Sequence, residues 1–200
     1  MTTLQLNTSL FGQGGQSTSL ASEFVAKRGG KVIVRDLAAD PVPHLSAERF
    51  GAFLAKPAER TPAQQAVVDY SDALIAELRD ADTIVIGLPM YNFSVPSTLR
   101  AYFDHVARVG VTFKYTQKGP QGLLTGKKAY VFVTRGGVYG QDHIHTAYVR
   151  DFLGFIGITD VEFVYAEGLA ISPQSKEAAL ANARQTIARL TLKQAEFALT

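Results

Sequence analysis

At 200 residues and 46% apolar, the chain is long enough to bury one substantial core and short for two, so a single domain over 1–200 is expected. The net charge of +2 is the balance of 20 basic and 18 acidic residues spread along the whole length, without the clustered basic footprint that nucleic acid demands. There are no cysteines, which excludes disulfides, thiolate metal sites and cysteine nucleophiles. The amino terminus lacks the pattern of a secretory signal and no window approaches a membrane span, so the expectation is a cytoplasmic protein with no membrane partner.

Short apolar runs alternate with helical patterns, as in stacked βαβ units. Strands are expected near 4–8, 31–35, 83–88, 128–133 and 160–165, and helices near 17–27, 63–79, 97–109, 145–155 and 175–197. Thr61-Pro62 reads as an N-cap with proline at the first helical position, followed by Ala66, Val67, Tyr70, Leu74 and Leu78 at helical spacing. Leu99, Tyr102, Phe103 and Val106 form a similar core stripe in the next helix. The fold class is therefore α/β, a three-layer flavodoxin-like arrangement with a five-stranded parallel sheet, for which the order 2-1-3-4-5 is expected. The connections 38–60 and 110–126 are too long for simple turns, and such segments are often lids or interface elements.

Loops that follow parallel strands emerge at one edge of the sheet, where open α/β folds bind ligands. After the first strand, Ser9-Leu10-Phe11-Gly12-Gln13-Gly14-Gly15-Gln16-Ser17-Thr18 runs straight into a helix. Free amides at the helix start, with the hydroxyls of Ser9, Ser17 and Thr18, suit a phosphate; the same residues could equally make a cap and a turn. The segment fails the dinucleotide fingerprint, because Ser17 stands where the third glycine belongs, and it has no lysine for a Walker loop. Neutral donors suit one terminal phosphate better than a triphosphate with its metal.

The loop after the third strand, Pro89-Met90-Tyr91-Asn92-Phe93-Ser94, offers apolar surface from Met90, Tyr91 and Phe93 and amides at Asn92 and Phe93. The loop after the fourth, Thr134-Arg135-Gly136-Gly137, offers the amides of Gly136 and Gly137 with no side chain in the way. A flat heterocycle such as a flavin fits between them, and amides facing its N1–C2=O edge favour the reduced form. No metal site is expected: His143-Ile144-His145 are read as solvated loop histidines, and His44 and His105 are given no chemistry. Lys56, Arg60 and Arg135 could touch the phosphates of a nicotinamide cofactor.

Met90-Tyr91-Asn92-Phe93 with the following Pro-Ser-Thr-Leu helix start, Tyr102-Phe103-Asp104, Arg35-Asp36-Leu37-Ala38, Gly110-Val111-Thr112-Phe113, Arg135-Gly136-Gly137 and Phe152-Leu153-Gly154-Phe155-Ile156-Gly157-Ile158 together resemble the FMN-dependent NADH-azoreductase family, also called FMN-dependent NADH:quinone oxidoreductases. The resemblance runs along nearly the whole chain. It implies a homodimer with one FMN per subunit near the interface, and two-electron transfer from NADH or NADPH to quinones or azo compounds in a ping-pong cycle. Catalysis then rests on the flavin rather than on any side chain.

By the same resemblance the phosphate site falls on Ser9, Gly15, Gln16 and Ser17, and the ring site on Met90, Tyr91, Asn92, Phe93, Thr134, Arg135, Gly136 and Gly137. Phe113 and Tyr115 are candidates for stacking on substrate, against the neighbouring subunit's flavin. The family commonly has serine at the positions of Gly15 and Thr134, and its link before the second strand is longer than Lys27-Arg28-Gly29-Gly30. The competing reading is a flavodoxin-type electron carrier serving a partner reductase. Such carriers dock through an acidic face, which this balanced composition does not offer.

Overall fold

Side chains alternate faces along a strand, and the central strands are apolar on both, as a sheet covered by helices on each side requires. In the computed structural model, which describes residues 1–197, β1 (Thr2–Asn7), β2 (Lys31–Asp36), β3 (Thr83–Pro89), β6 (Lys128–Thr134) and β7 (Asp160–Ala166) form one parallel sheet in the order β2-β1-β3-β6-β7. This is the expected 2-1-3-4-5 order with a hairpin, β4 (Phe113–Thr116) and β5 (Gly119–Gly122), set apart from it.

On one face α1 (Gln16–Arg28) and α6 (Pro173–Phe197) bury Leu20, Phe24, Leu180 and Ile187 against Val85, Tyr130 and Phe132. On the other, α3 (Pro62–Asp80), α4 (Ser97–Val106) and α5 (Ile144–Ile156) cover Ile84, Ile86, Val131 and Val133 with Leu74, Ile75, Leu99, Phe103 and Leu153. At the start of α3, Thr61 and Gln64 make a reciprocal capping box with Pro62 at the first turn. The buried stripe of that helix is Val68, Ser71, Leu74, Ile75 and Leu78, so the expected Ala66 and Val67 fall beside it: Ala66 is exposed and Val67 partly so.

Both long connections carry structure that the chain pattern did not reveal. Residues 38–60 contain α2 (Ala47–Leu54), capped by Ser46, and 110–126 contain the hairpin. Gly122 packs so closely on the backbone of Ile156 and Gly157 that a Cβ there would overlap it. Leu124 N–H donates to the Ile156 carbonyl at 2.9 Å, and Phe113 lies 4.3 Å from the Phe155 ring, centroid to centroid. The hairpin is thus fastened to the carboxyl end of α5.

One contact positions the binding edge. A Cβ on Gly87, inside β3, would lie 3.0 Å from the Ser17 carbonyl oxygen and 3.2 Å from the Thr18 nitrogen, so only glycine lets the first turn of α1 settle onto the sheet. Gly87→Ala should lower the free energy of unfolding by about 1–3 kcal/mol, the usual range for an overpacked core; urea denaturation checks it, and an unchanged midpoint contradicts the close approach.

Candidate functional site

The loops after β1, β3 and β6 converge on a cleft of about 190 Å³ lined by Ser9, Phe11, Gly14, Gly15, Gln16, Pro89, Met90, Tyr91, Thr134, Arg135, Gly136 and Leu169. A second hollow of about 340 Å³, lined by Leu10, Tyr91, Asn92, Ser94, Val95, Pro96 and Ser97, shares Tyr91 as a wall. The first is smaller than the ~300–1,000 Å³ usual for a bound small molecule, so a flat ligand held there spreads onto the rim and leaves one face open. Two hollows of larger volume lie elsewhere, one over Asp40 and Tyr70 and one over Arg28 and Lys128, where the strands begin. The second is not met by loops that follow strands, and the first meets one of them, the loop after β2.

At the α1 end, Gly15 occupies the N-cap and makes no side-chain cap, and the Ser17 side chain does not cap the helix either. The first intrahelical bond is Ser19 N–H to the Gly15 carbonyl at 2.9 Å, which leaves the amides of Gln16, Ser17 and Thr18 without helical acceptors. Ser17 Oγ and Thr18 Oγ1 are buried with no hydrogen-bond partner. Buried hydroxyls are ordinarily paired, so these mark a place where a ligand or water completes the bonding. Ser9 Oγ lies 3.3 Å from the Tyr91 hydroxyl and accepts from Phe11 N–H at 3.2 Å, while Leu10 N–H donates to the Tyr91 hydroxyl at 3.2 Å. A Cβ on Gly15 would collide with this Ser9 side chain. Tyr91 therefore ties the first loop to the second, a role that its sequence position did not disclose.

The second loop closes through mutual backbone bonds between Tyr91 and Ser94 at 3.1 and 3.0 Å, with Asn92 and Phe93 at φ +49° and +63°. Two central residues with positive φ define a type I′ turn. Asn tolerates this, whereas Phe in that region is strained by about 1–2 kcal/mol. The strain presents the Phe93 ring to solvent, 65% exposed and edge-on to Tyr139 with centroids 6.1 Å apart. In the third loop the carbonyls of Arg135, Gly136 and Gly137 accept from Leu169, Ala170 and Gly168. Their engagement anchors the loop from behind. Met90 N–H donates to the Thr134 carbonyl at 2.9 Å and joins the second and third loops.

The structure corrects the readings of Arg135 and His145. Arg135 contributes backbone to the cleft, but its guanidinium is fully buried and ion-paired with Glu167 at 2.9 Å, so it cannot touch a nicotinamide cofactor. Lys56 pairs with Glu59, and Arg60 donates to the Ala55 carbonyl; neither lines the cleft. His145 is not a solvated loop residue but is buried on α5; His143, half-buried, caps that helix from the preceding loop, and His105 is buried in α4. Phe113 and Tyr115 do not line the cleft of their own chain; Phe113 is buried at the foot of the hairpin and Tyr115 is 72% exposed. Phe11, Gly14, Pro89 and Leu169 line the cleft without having been anticipated.

A mononucleotide-binding protein of the flavodoxin-like class is what this edge and its donors define. Residues 1–190 match the family described as "Flavodoxin-like fold". The chain is 53% identical to FMN-dependent NADH:quinone oxidoreductase 6 of Burkholderia lata over 94% of this chain and 98% of the relative, and 51% identical to the FMN-dependent NADH:quinone oxidoreductase of Cellvibrio japonicus over 93% and 96%. Among solved structures, an azoreductase from Bacillus anthracis str. Sterne superposes with a TM-score of 0.88 at 26% identity, covering 96% of this chain and 99% of that one. An FMN-dependent NADH-azoreductase of Bacillus anthracis str. Ames Ancestor in complex with FMN gives 0.82 at 27%, covering 95% and 99%. The chain belongs to this family of FMN-dependent NADH:quinone oxidoreductases and azoreductases.

His145 supplies a pH dependence. Burial foremost, then the adjacent Arg135 charge, lower its pKa from 6.5 to about 4, opposed by the bond to the Pro89 carbonyl, with His143 lowering it further. The folded protein thus keeps this imidazole neutral where the unfolded chain binds a proton. Its contribution is complete above about pH 6.5 and is lost as the pH falls toward 4, by on the order of 3 kcal/mol. Thermal melts from about pH 7.5 down to about pH 4.5 should show this fall, and His145→Gln should lessen it; an equal fall in the variant contradicts the assignment.

Proposed function

We propose that this protein is an FMN-dependent oxidoreductase that passes two electrons from NADH or NADPH to quinones and reductively cleaves aromatic azo compounds, working as a cytoplasmic homodimer. The observation that carries the reading is the meeting of three loops at one sheet edge beside the unpaired hydroxyls of Ser17 and Thr18, in a chain whose relatives bear that activity in their names. The residues fit the cofactor. Buried hydroxyls at Ser17 and Thr18, with the free first-turn amides of α1 and its positive dipole end, suit the terminal phosphate. Ser9, Gly15 and Gln16 complete that end of the cleft.

FMN, when bound, supplies the two-electron exchange between nicotinamide and acceptor. The chain binds and orients. Met90 and Tyr91 would offer apolar surface to one face of the ring, and the amides of Asn92, Phe93, Gly136 and Gly137 would stabilise charge growing at its edge; of these four residues Gly136 lines the cleft and Asn92 the neighbouring hollow. Thr134 and Arg135 contribute main chain to the floor. Arg135 is the single ionisable cation among the lining residues, and its charge is directed away, so no side chain there need move a proton. Nicotinamide and acceptor use the same open face in turn.

Tyr115 enters this scheme only through a second copy. The hairpin rests on the far end of α5, about 20 Å along that helix from the binding edge, so its exposed ring serves a partner's site rather than its own. Exposed Phe50 and Leu54 on α2 support a paired state. The electron-carrier reading predicts no turnover without a reductase, whereas the purified protein alone should oxidise NADH when given a quinone. Steady-state lines at several quinone concentrations should be parallel; intersecting lines contradict the shared face. Ser17→Asp places a carboxylate against the phosphate and should yield a folded, colourless protein. Retention of yellow flavin at normal occupancy would overturn that placement.

A further inference from the structure

Behind the cleft lies a buried cation that the proposed chemistry leaves unused. Arg135 Nη1 donates to the Gly140 carbonyl at 2.6 Å and to Glu167 Oε1 at 2.9 Å, and Nη2 donates to Thr146 Oγ1 at 3.2 Å. Its Nε donates to His145 Nδ1 at 3.3 Å. A guanidinium only donates, so Nδ1 must be the bare nitrogen and the imidazole carries its single proton on Nε2. That nitrogen sits 3.2 Å from the Pro89 carbonyl and therefore donates to it. Pro89 immediately precedes Met90. Two hydrogen bonds in series thus run from the start of one ring-facing loop to the start of the other, through a side chain on α5.

The same guanidinium governs a third segment. Glu167 Oε1, paired with Arg135, also accepts from Tyr139 N–H at 2.9 Å and Gly140 N–H at 3.2 Å. The turn that sets the Tyr139 ring against Phe93 is held by this carboxylate. Because the Arg135 charge is matched by Glu167, its influence on a ligand passes through geometry rather than through its field.

We propose that Arg135 and His145 are positioning residues that fix the separation of the Met90 and Gly136 loops, and through it set both the affinity for FMN and the potential of the bound flavin. The inference rests on the reading of those loops as the ring site. Length distinguishes the variants that test it. In His145→Gln the amide reaches as far as Nε2 and can serve both Arg135 and Pro89. In His145→Asn it reaches only as far as Nδ1, keeping Arg135 and losing Pro89.

The holoprotein of each variant is diluted and free FMN followed by its fluorescence, while the midpoint potential is read against reference dyes and folding is checked by circular dichroism. His145→Asn should release FMN with a dissociation constant raised about tenfold. It should also change the ratio of affinities for oxidised and reduced flavin by up to tenfold, about 30 mV for a two-electron couple. His145→Gln should stay within twofold of the parent protein on both counts. Merely structural packing would lower the melting temperature of His145→Asn without moving the potential, and that result overturns the proposal, as does an unaltered dissociation constant. Should His145→Asn not fold, Thr146→Val, which removes one acceptor of the same guanidinium, is read in the same way, with a potential equal to that of the parent protein again overturning it. Failure of the parent protein to hold FMN at all would defeat the flavin reading itself, a distinct outcome.

Discussion

The arrangement depends on a step in the parallel register. Asn7, the last residue of β1, stands opposite Gly87, whereas β3 and β6 continue in register to Pro89 and Thr134. β1 thus stops two residues before its neighbour. The chain beyond it is free to turn across the end of β3, where Thr8 Oγ1 donates to the Gly87 carbonyl at 2.7 Å. Glycine at that opposing position then admits the first turn of α1. Had β1 continued to the level of Pro89, its loop and the helix start would stand clear of the second loop rather than beside it.

The edge so formed is built from neutral donors, and this has an energetic logic. An isolated buried charge carries a desolvation penalty of several kcal/mol unless it is paired and hydrogen-bonded. The one charge placed beneath the cleft, Arg135, meets a carboxylate, a carbonyl, a hydroxyl and an imidazole nitrogen, and stacks 5.5 Å from the Tyr165 ring. Four of its five N–H groups are engaged from behind, which leaves the ligand-facing surface to amides and hydroxyls. Local strain at Phe93, by contrast, lies on the open side. The left-handed turn holds that ring outward on the open side.

Much of the fold could be read from local pattern, because strands β1, β3, β6 and β7 are carried by apolar runs and α3 opens on an unmistakable cap. What escaped was short or polar. Helix α2 spans eight residues within a connection rich in proline, and the hairpin strands, Phe-Lys-Tyr-Thr and Gly-Pro-Gln-Gly, are only four residues each. The burial of His145 was missed because polarity was weighed above position. His145 precedes Val149, Leu153 and Ile156 at helical spacing, and His105 follows Tyr102 by three, so each lies on a buried face. Arg135 is harder: its partners Glu167, His145 and Gly140 converge only once β6, α5 and β7 are assembled.

Gly15 shows how a departure from the family pattern can be absorbed. The resemblance implies serine at this position, and glycine offers the cleft no hydroxyl there. The space that its Cβ would fill is instead taken by the side chain of Ser9, whose hydroxyl is held by Tyr91 and by the Phe11 amide. The substitution therefore leaves the amide at 15 in place while allowing a neighbouring hydroxyl to fold over it. It also couples the first two loops, since Tyr91, which walls both hollows, anchors Ser9. Restoring serine at 15 would add a donor only by displacing Ser9 and breaking that coupling, so glycine and the Ser9–Tyr91 contact are best understood as one unit.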